Sequence, residues 1–166
     1  MSGELEGERV TLRPLREDDL PRLVELGQAP EIARWWPDID EPYLRRKLER
    51  GTAFAIEEGG ELVGLAQWWE NDAPDFRHAG IDLFLAPGRH GRGLGRDAVR
   101  TLARWLVDER GHHRITIDPA LANERAIRCY EAVGFRRVGV MRRYWHGPDG
   151  QWHDGLLLDL LAEELD

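Results

Sequence analysis

The chain has 166 residues, of which 42% are hydrophobic and 33% charged, the profile of one globular domain spanning residues 1–166 with length enough to bury a core. Its formal net charge is −8, from 31 acidic against 23 basic residues, a balance that argues against DNA or RNA as a partner. No apolar run is long enough to span a bilayer and no basic segment followed by an apolar one opens the chain, so a cytoplasmic protein with no membrane partner is expected. The single cysteine, Cys129, precludes an internal disulfide, and no Cys/His spacing suggests a metal site.

Met1 to Gly7 is polar and reads as a frayed terminus. Arg9 to Arg13 alternates, with Val10 and Leu12 on one side, and predicts a first strand. Acids at Arg16-Glu17-Asp18-Asp19 open a helix from Asp19 to Leu26, stopped by Gly27. Ala29 to Glu41 reads as irregular. Asp40 then caps a second helix, with Pro42 in its first turn, that ends before Gly51. Thr52 to Glu58 and Glu61 to Trp69 are strands joined by Gly59-Gly60, a hairpin signal. Glu70 to His78 reads as a loop, and Gly80 to Ala86 as a third strand of a meander. Ile81, Leu83 and Leu85 share one parity of that strand, and Gly80, Asp82 and Phe84 the other.

Pro87-Gly88 ends the strand, and the loop Arg89-His90-Gly91-Arg92-Gly93-Leu94-Gly95 leads into a long helix with Val99, Leu102, Ala103 and Leu106 on one face. A glycine-rich turn at a helix N-terminus can cradle an anion on unpaired N–H groups, with Arg89, Arg92 and Arg96 adding charge. The same residues could equally form an ordinary basic surface turn. Further on come a short strand from Arg114 to Asp118, a helix from Ala122 to Val133 stopped by Gly134, and two strands, Phe135 to Trp145 and Trp152 to Leu161, joined by a turn-rich connection. His112-His113 is placed at a helix end. The order predicts an α/β fold: a mixed, mostly antiparallel central sheet flanked by helices, with crossover helices only in its middle and C-terminal half. There are seven tryptophans. The adjacent pairs Trp35-Trp36 and Trp68-Trp69 suggest aromatic walls of a binding cleft.

Two stretches resemble the GCN5-related N-acetyltransferases (GNAT). One is His90-Gly91-Arg92-Gly93-Leu94-Gly95, which matches the family's acyl-CoA loop except that His90 stands where Gln or Arg is usual. The other is Asn123-Glu124-Arg125-Ala126-Ile127-Arg128-Cys129-Tyr130-Glu131-Ala132-Val133-Gly134-Phe135. Within the family, Gly80-Ile81-Asp82, Thr116-Ile117-Asp118-Pro119 and Gly64-Leu65-Ala66-Gln67 look most like aminoglycoside 6′-N-acetyltransferases. N-terminal-alanine acetyltransferases of ribosomal proteins share much of the pattern.

The resemblance implies a GNAT fold and acetyl-CoA as co-substrate, with no metal. The CoA would contact Leu83, Phe84, Leu85, His90, Gly91, Arg92, Gly93, Leu94, Gly95, Arg96, Asn123, Arg125 and Ala126. The acceptor would be a small polycationic amine, bound by Trp35, Trp36, Gln67, Trp68, Asp82 and Asp118. The protein would be a monomer or a homodimer. Asp82 would bind or deprotonate the amine, and Tyr130 would protonate the leaving thiolate. On residue type alone, Asp82 could instead pair with an arginine, Tyr130 could be a core residue beside Ile127, and Asn123 could serve as a helix N-cap. Asp38, Asp40, Glu70, Asp72 and Asp154 are further acids that could face a polycation. Cys129 reads as a small buried residue, because the family transfers acetyl directly. The alternatives to aminoglycoside acetylation are acetylation of a protein's α-amine and a non-catalytic acyl-CoA sensor.

Overall fold

The computed structural model describes residues 3–166. Eight strands form one sheet: β1 (Leu5–Glu6), β2 (Thr11–Pro14), β3 (Ala53–Glu58), β4 (Glu61–Asn71), β5 (His78–Leu85), β6 (Arg114–Ile117), β7 (Arg136–His146) and β8 (Trp152–Leu161). Their spatial order is β1-β2-β3-β4-β5-β6-β8-β7. Every neighbouring pair is antiparallel except β5 and β6. The helices are α1 (Leu20–Gly27), α2 (Pro30–Ala33), α3 (Glu41–Arg50), α4 (Leu94–Asp108) and α5 (Glu124–Val133).

Both faces of the central strands are covered, while the edge strand β7 is largely exposed, and the alternation of β5 divides its side chains between the two layers. Ile81 and Leu85 join α4 and α5 in a core with Val99, Leu102, Leu106, Ile127 and Leu158. Phe84 points the other way, into a second core with Leu20, Leu23, Leu44 and Leu65 under α1 and α3. Asp82 shares the parity of Phe84 and pairs across the sheet with Gln67, so it belongs to the α1–α3 layer.

Local signals place the helices well. The Asp40 side chain accepts the Tyr43 N–H at 2.9 Å and Gly51 closes α3. Three expectations change. Leu5 and Glu6, read as frayed, pair with Leu12 and Thr11; Met1 and Ser2 lie outside the described residues. The segment after α1, read as irregular, contains α2. Residues 70–78 are shorter as a loop than expected, because Glu70 and Asn71 complete β4 and His78 opens β5, paired Asn71 to His78.

That extension puts Glu70 at a corner far from the expected cleft. Its carboxylate accepts from Arg110 and from His112 Nε2, and Arg77 stands 3.9 Å away. The Arg110 guanidinium also lies 5.0 Å from the ring centroid of Trp68. His112 is therefore a buried clasp between the α4–β6 loop and β4, rather than a helix end. Burial pushes the Glu70 carboxyl up, but Arg110 and His112 outweigh this and hold it below its ordinary value. A depressed pKa contributes stability that is present above the unfolded carboxyl's value, about 4.3, and is lost as pH falls through the folded value. Glu70→Gln is thus expected to lower stability by about 1–2 kcal/mol at pH 7 and to shrink the difference from the parent as pH falls toward 3. Urea midpoints at the two pH values check it; an equal deficit at both would remove the charge from the account.

Candidate active site

Strands β5 and β6 pair only at Ala79–Ile115 and Gly80–Thr116. Beyond Gly80 they part, and the gap opens a cleft of about 790 Å³ between β5, the α2 region, α5 and the end of β7. One edge of β5 faces this gap. The Leu83 N–H, which would otherwise serve a neighbouring strand, donates to Asp82 Oδ1 at 3.1 Å. By strand alternation the Leu85 N–H points the same way. A carbonyl laid along this edge would find donors already aimed at it.

At one end of the cleft the loop 89–93 enters α4. Gly91 and Gly93 both have φ of 79°, a left-handed backbone that favours glycine. Gly93 caps α4 with no side-chain hydrogen bond. The N–H groups of Leu94, Gly95 and Arg96 have no acceptor among the described residues. A Cβ at Gly91 would meet open space. The result is an open, donor-rich cradle at a 15-residue helix N-terminus. Its position is fixed by Asp97 in the first turn of α4, whose carboxylate accepts the N–H groups of Glu8, Arg9 and Val10 at 3.0, 2.7 and 3.0 Å. The arginines contribute less than their number implies. Arg89 bonds Glu58 and Glu61, and Arg92 bonds Glu58 at 2.7 Å, so their charge is partly spent on β3 and β4.

Of the expected CoA contacts, Leu83, Phe84, Leu85, His90, Gly95, Asn123, Arg125 and Ala126 line the cleft. Gly91 to Leu94 and Arg96 form the adjoining loop and helix start, with the Leu94 side chain buried in the core. The Asn123 side chain caps α5, accepting the Ala126 N–H at 3.3 Å, while also lining the cleft. His90 is held below its usual value, by partial burial first and then by the Arg125 charge.

Among the described residues Asp82 has no arginine partner, and its carboxylate accepts only the Leu83 N–H. Burial, and next the charge of Asp118, push its carboxyl up to about 7, against smaller opposing effects of the Leu83 N–H and Lys47. Asp118 also lines the cleft, and burial raises it too, while the Tyr144 hydroxyl that donates to it pulls it back. Two carboxylates whose charges repel share the cleft floor, a place suited to a cation. Tyr130 is 6% exposed and belongs both to the α5 core face and to the cleft wall. Burial first, then Asp82, keeps it protonated well above a phenol's ordinary range. Burial also pushes the neighbouring Cys129 thiol up to about 11, which makes it a poor nucleophile.

The aromatic walls are partly as expected. Trp35 and Trp36 line the cleft, Trp36 packed edge-on against Phe84 and Tyr43, and Trp35 against Trp145. Trp68 does not line it. At 8% exposure it packs on Trp105 in the α4 core layer, because its parity on β4 is opposite to that of Gln67. Gln67 sits beside Asp82 but is held by the Tyr43 hydroxyl at 2.7 Å, behind the cleft lining. Among the other acids, Asp38 lines the cleft, Asp40 caps α3, Asp154 accepts the Arg143 N–H, and Glu70 is in the distant corner. Three residues around the site escape the sequence: Tyr144 lines the cleft, Tyr43 holds Gln67 behind it, and the charge of Lys47 acts on Asp82. Each is brought there across the fold, with no local motif to mark it. Among the described residues no three metal-ligating side chains cluster, and no helix is long and apolar enough to cross a membrane.

Residues 9–136 match the family model of an acetyltransferase (GNAT) domain. The chain is 37% identical over 164 residues to aminoglycoside N(6′)-acetyltransferase type 1 of Klebsiella pneumoniae, covering 85% of this chain and 79% of the relative. Its fold is similar to AAC(6′)-Ib in complex with paromomycin and acetyl-CoA, at TM-score 0.75 and 31% identity over 95% of this chain and 96% of that one. It is also similar to Mycobacterium smegmatis RimJ in complex with CoA-disulfide, at TM-score 0.82 and 28% identity, covering 98% of this chain and 88% of that one.

Proposed function

The chain belongs to the GNAT acetyltransferases, with acetyl-CoA as acetyl donor, and from that premise we propose that it acetylates the 6′-amine of an aminoglycoside by direct attack within a ternary complex. The observation that carries this reading is the pair Asp82 and Asp118 on the floor of an aromatic-walled cleft, beside the donor edge of β5. A polycation finds opposite charge there, and a reacting amine finds a base.

The proposed chemistry balances as follows. The pyrophosphate lies on the cradle of Gly91 to Arg96, and the thioester carbonyl takes the Leu83 N–H in place of Asp82 Oδ1. The acceptor arrives as an ammonium and gives a proton to the Asp82 carboxylate. The free amine attacks the carbonyl carbon, forming the C–N bond, and collapse breaks the C–S bond. Tyr130 donates its proton to the departing thiolate and recovers one from the new amide nitrogen. Asp82 returns its proton to solvent.

A second reading, acetylation of a peptide α-amine, is supported by the likeness to N-alpha-acetyltransferase RimI of Mycobacterium tuberculosis, 29% identical over 145 residues. Timed CoA release with kanamycin, with tobramycin, with a 6′-blocked analogue and with a peptide bearing a free N-terminus separates the two. Turnover confined to the unblocked aminoglycosides is expected. Turnover with the peptide alone would replace the first reading with the second.

A further inference from the structure

Strand β7 slips register twice against β8, between Arg137 and Gly139 and between Met141 and Trp145. Within the second slip Arg143 has φ of 48°, the one non-glycine residue with positive φ among the described residues. Such a backbone persists only where its surroundings hold it. Here Asp154 Oδ1 accepts the Arg143 N–H at 2.8 Å. The bulge lays the ring of the next residue, Tyr144, across β8 at Gly155, where an added Cβ would come within 2.7 Å of Tyr144 Cδ2. The Tyr144 hydroxyl then donates to Asp118 Oδ2.

Asp118 is held in a second way by the neighbouring strand β8. The chain that follows it is laced to β8: the Leu156 N–H donates to Pro119 O and the Leu121 N–H to Asp154 O, both at 2.9 Å, and Ala120 bridges Gly155. The backbone at Asp118 is thus fixed by β8, and the carboxylate by Tyr144. No other side chain among the described residues donates to that carboxylate.

We propose that Tyr144 is a positioning residue of the acceptor site, whose hydroxyl occupies one oxygen of Asp118 and aims the other at the cleft, so that Asp118 and Asp82 form a two-carboxylate seat for one primary ammonium. This rests on reading the cleft as an amine site. The phenol is suited to the task because burial and Asp118 keep it protonated: it is always a donor and never competes for the proton of the amine. The other titratable groups of this end of the cleft are Asp82 on β5, Tyr130 on α5 and His146 on β7, with Lys47 of α3 acting on Asp82. Asp154 of β8 is taken up by the Arg143 N–H. None of them donates to the Asp118 carboxylate, which Tyr144 alone does among the described residues.

The test has two arms. Carboxyl-carbon NMR titration of the full chain, with Asp118→Asn to assign the signal, needs no acceptor. Tyr144→Phe is expected to move the Asp118 midpoint upward, since a bond to its charged form is lost. Steady-state kinetics with kanamycin is expected to show KM for the amine rising about tenfold with KM for acetyl-CoA unchanged. On an Asp118→Asn background the same substitution should add nothing. An unmoved Asp118 titration, or an equal rise of both KM values, would overturn the proposal. Absence of parental turnover with kanamycin would count against the proposed acceptor alone, since the titration arm still decides the role of Tyr144.

Discussion

Asp82→Asn is expected to lower kcat by roughly 10²–10⁴-fold, the range of a positioned general base, while the dissociation constant for acetyl-CoA stays within about twofold. Asparagine keeps the shape of the side chain and an oxygen able to accept the Leu83 N–H, so the β5 edge that faces the cleft is preserved. What it removes is the proton acceptor. The pH profile supplies the sharper reading. Asp82 is pushed up to about 7 by burial and by Asp118, so its active, charged form is depleted as pH falls through neutrality. The parent's kcat/KM should therefore fall on the acid side of about pH 7. In Asp82→Asn that limb should vanish, leaving a low, flatter profile. Parallel loss of turnover and of acetyl-CoA affinity would make the residue a support of the strand rather than the base. Such a base gains from being half-neutral near working pH, because it is strong enough to take the proton and weak enough to release it.

In the candidate site, the loop-and-helix half proposed for the acetyl donor is legible in the sequence, and the half proposed for the acceptor is partly hidden. The cradle at Gly91 to Gly95 and the cap of α5 at Asn123 are local: glycine spacing, helix periodicity and capping chemistry each act within one turn of chain. The strand holding Asp82 was equally readable, because one acid in an apolar alternation stands out. The side of the sheet on which an alternating strand opens to a cleft is a different kind of fact. Trp68 and Gln67 are adjacent, yet β4 sends the first into the α4 core and the second toward Asp82. Nothing within β4 says which layer is closed. The widening of the gap after Gly80 depends on how few residues β5 and β6 share. Tyr144 depends on a bulge held by Asp154, eleven positions from Arg143. The two residues of β1 form a strand only because β2 is there to pair with them.

A second large effect lies away from the chemistry, where the start of α1 is tied to the sheet. Arg13 of β2 and Asp19 are nearly buried and meet in a bidentate pair, with both N–O distances 2.8 Å. Arg13 Nε also bonds Glu57 at 2.9 Å, and Asp19 accepts the Arg16 N–H at 2.8 Å. Burial pushes the Asp19 carboxyl up, but the bonds from Arg13 and Arg16 prevail and hold it below its usual value. Asp19→Ala would strand a buried guanidinium with one remaining carboxylate. Removing one partner of such a pair costs about 3–5 kcal/mol, which for a chain of this size is roughly a 10 °C drop in Tm. The same linkage means that this contribution is present above the unfolded aspartate's value, about 3.9, and disappears as pH falls through the depressed folded value. The parent and Asp19→Ala should therefore converge in strong acid. Replacing both partners, Arg13→Met with Asp19→Leu, leaves neither of those two charges unpaired and is expected to recover much of the loss, since desolvation of the pair offsets most of its attraction. Urea unfolding of the two single variants and the double variant gives the coupling directly. Additive losses would show that the two residues contribute separately, through packing, and that their pairing is incidental to the stability of the layer in which Tyr43 and Trp36 pack.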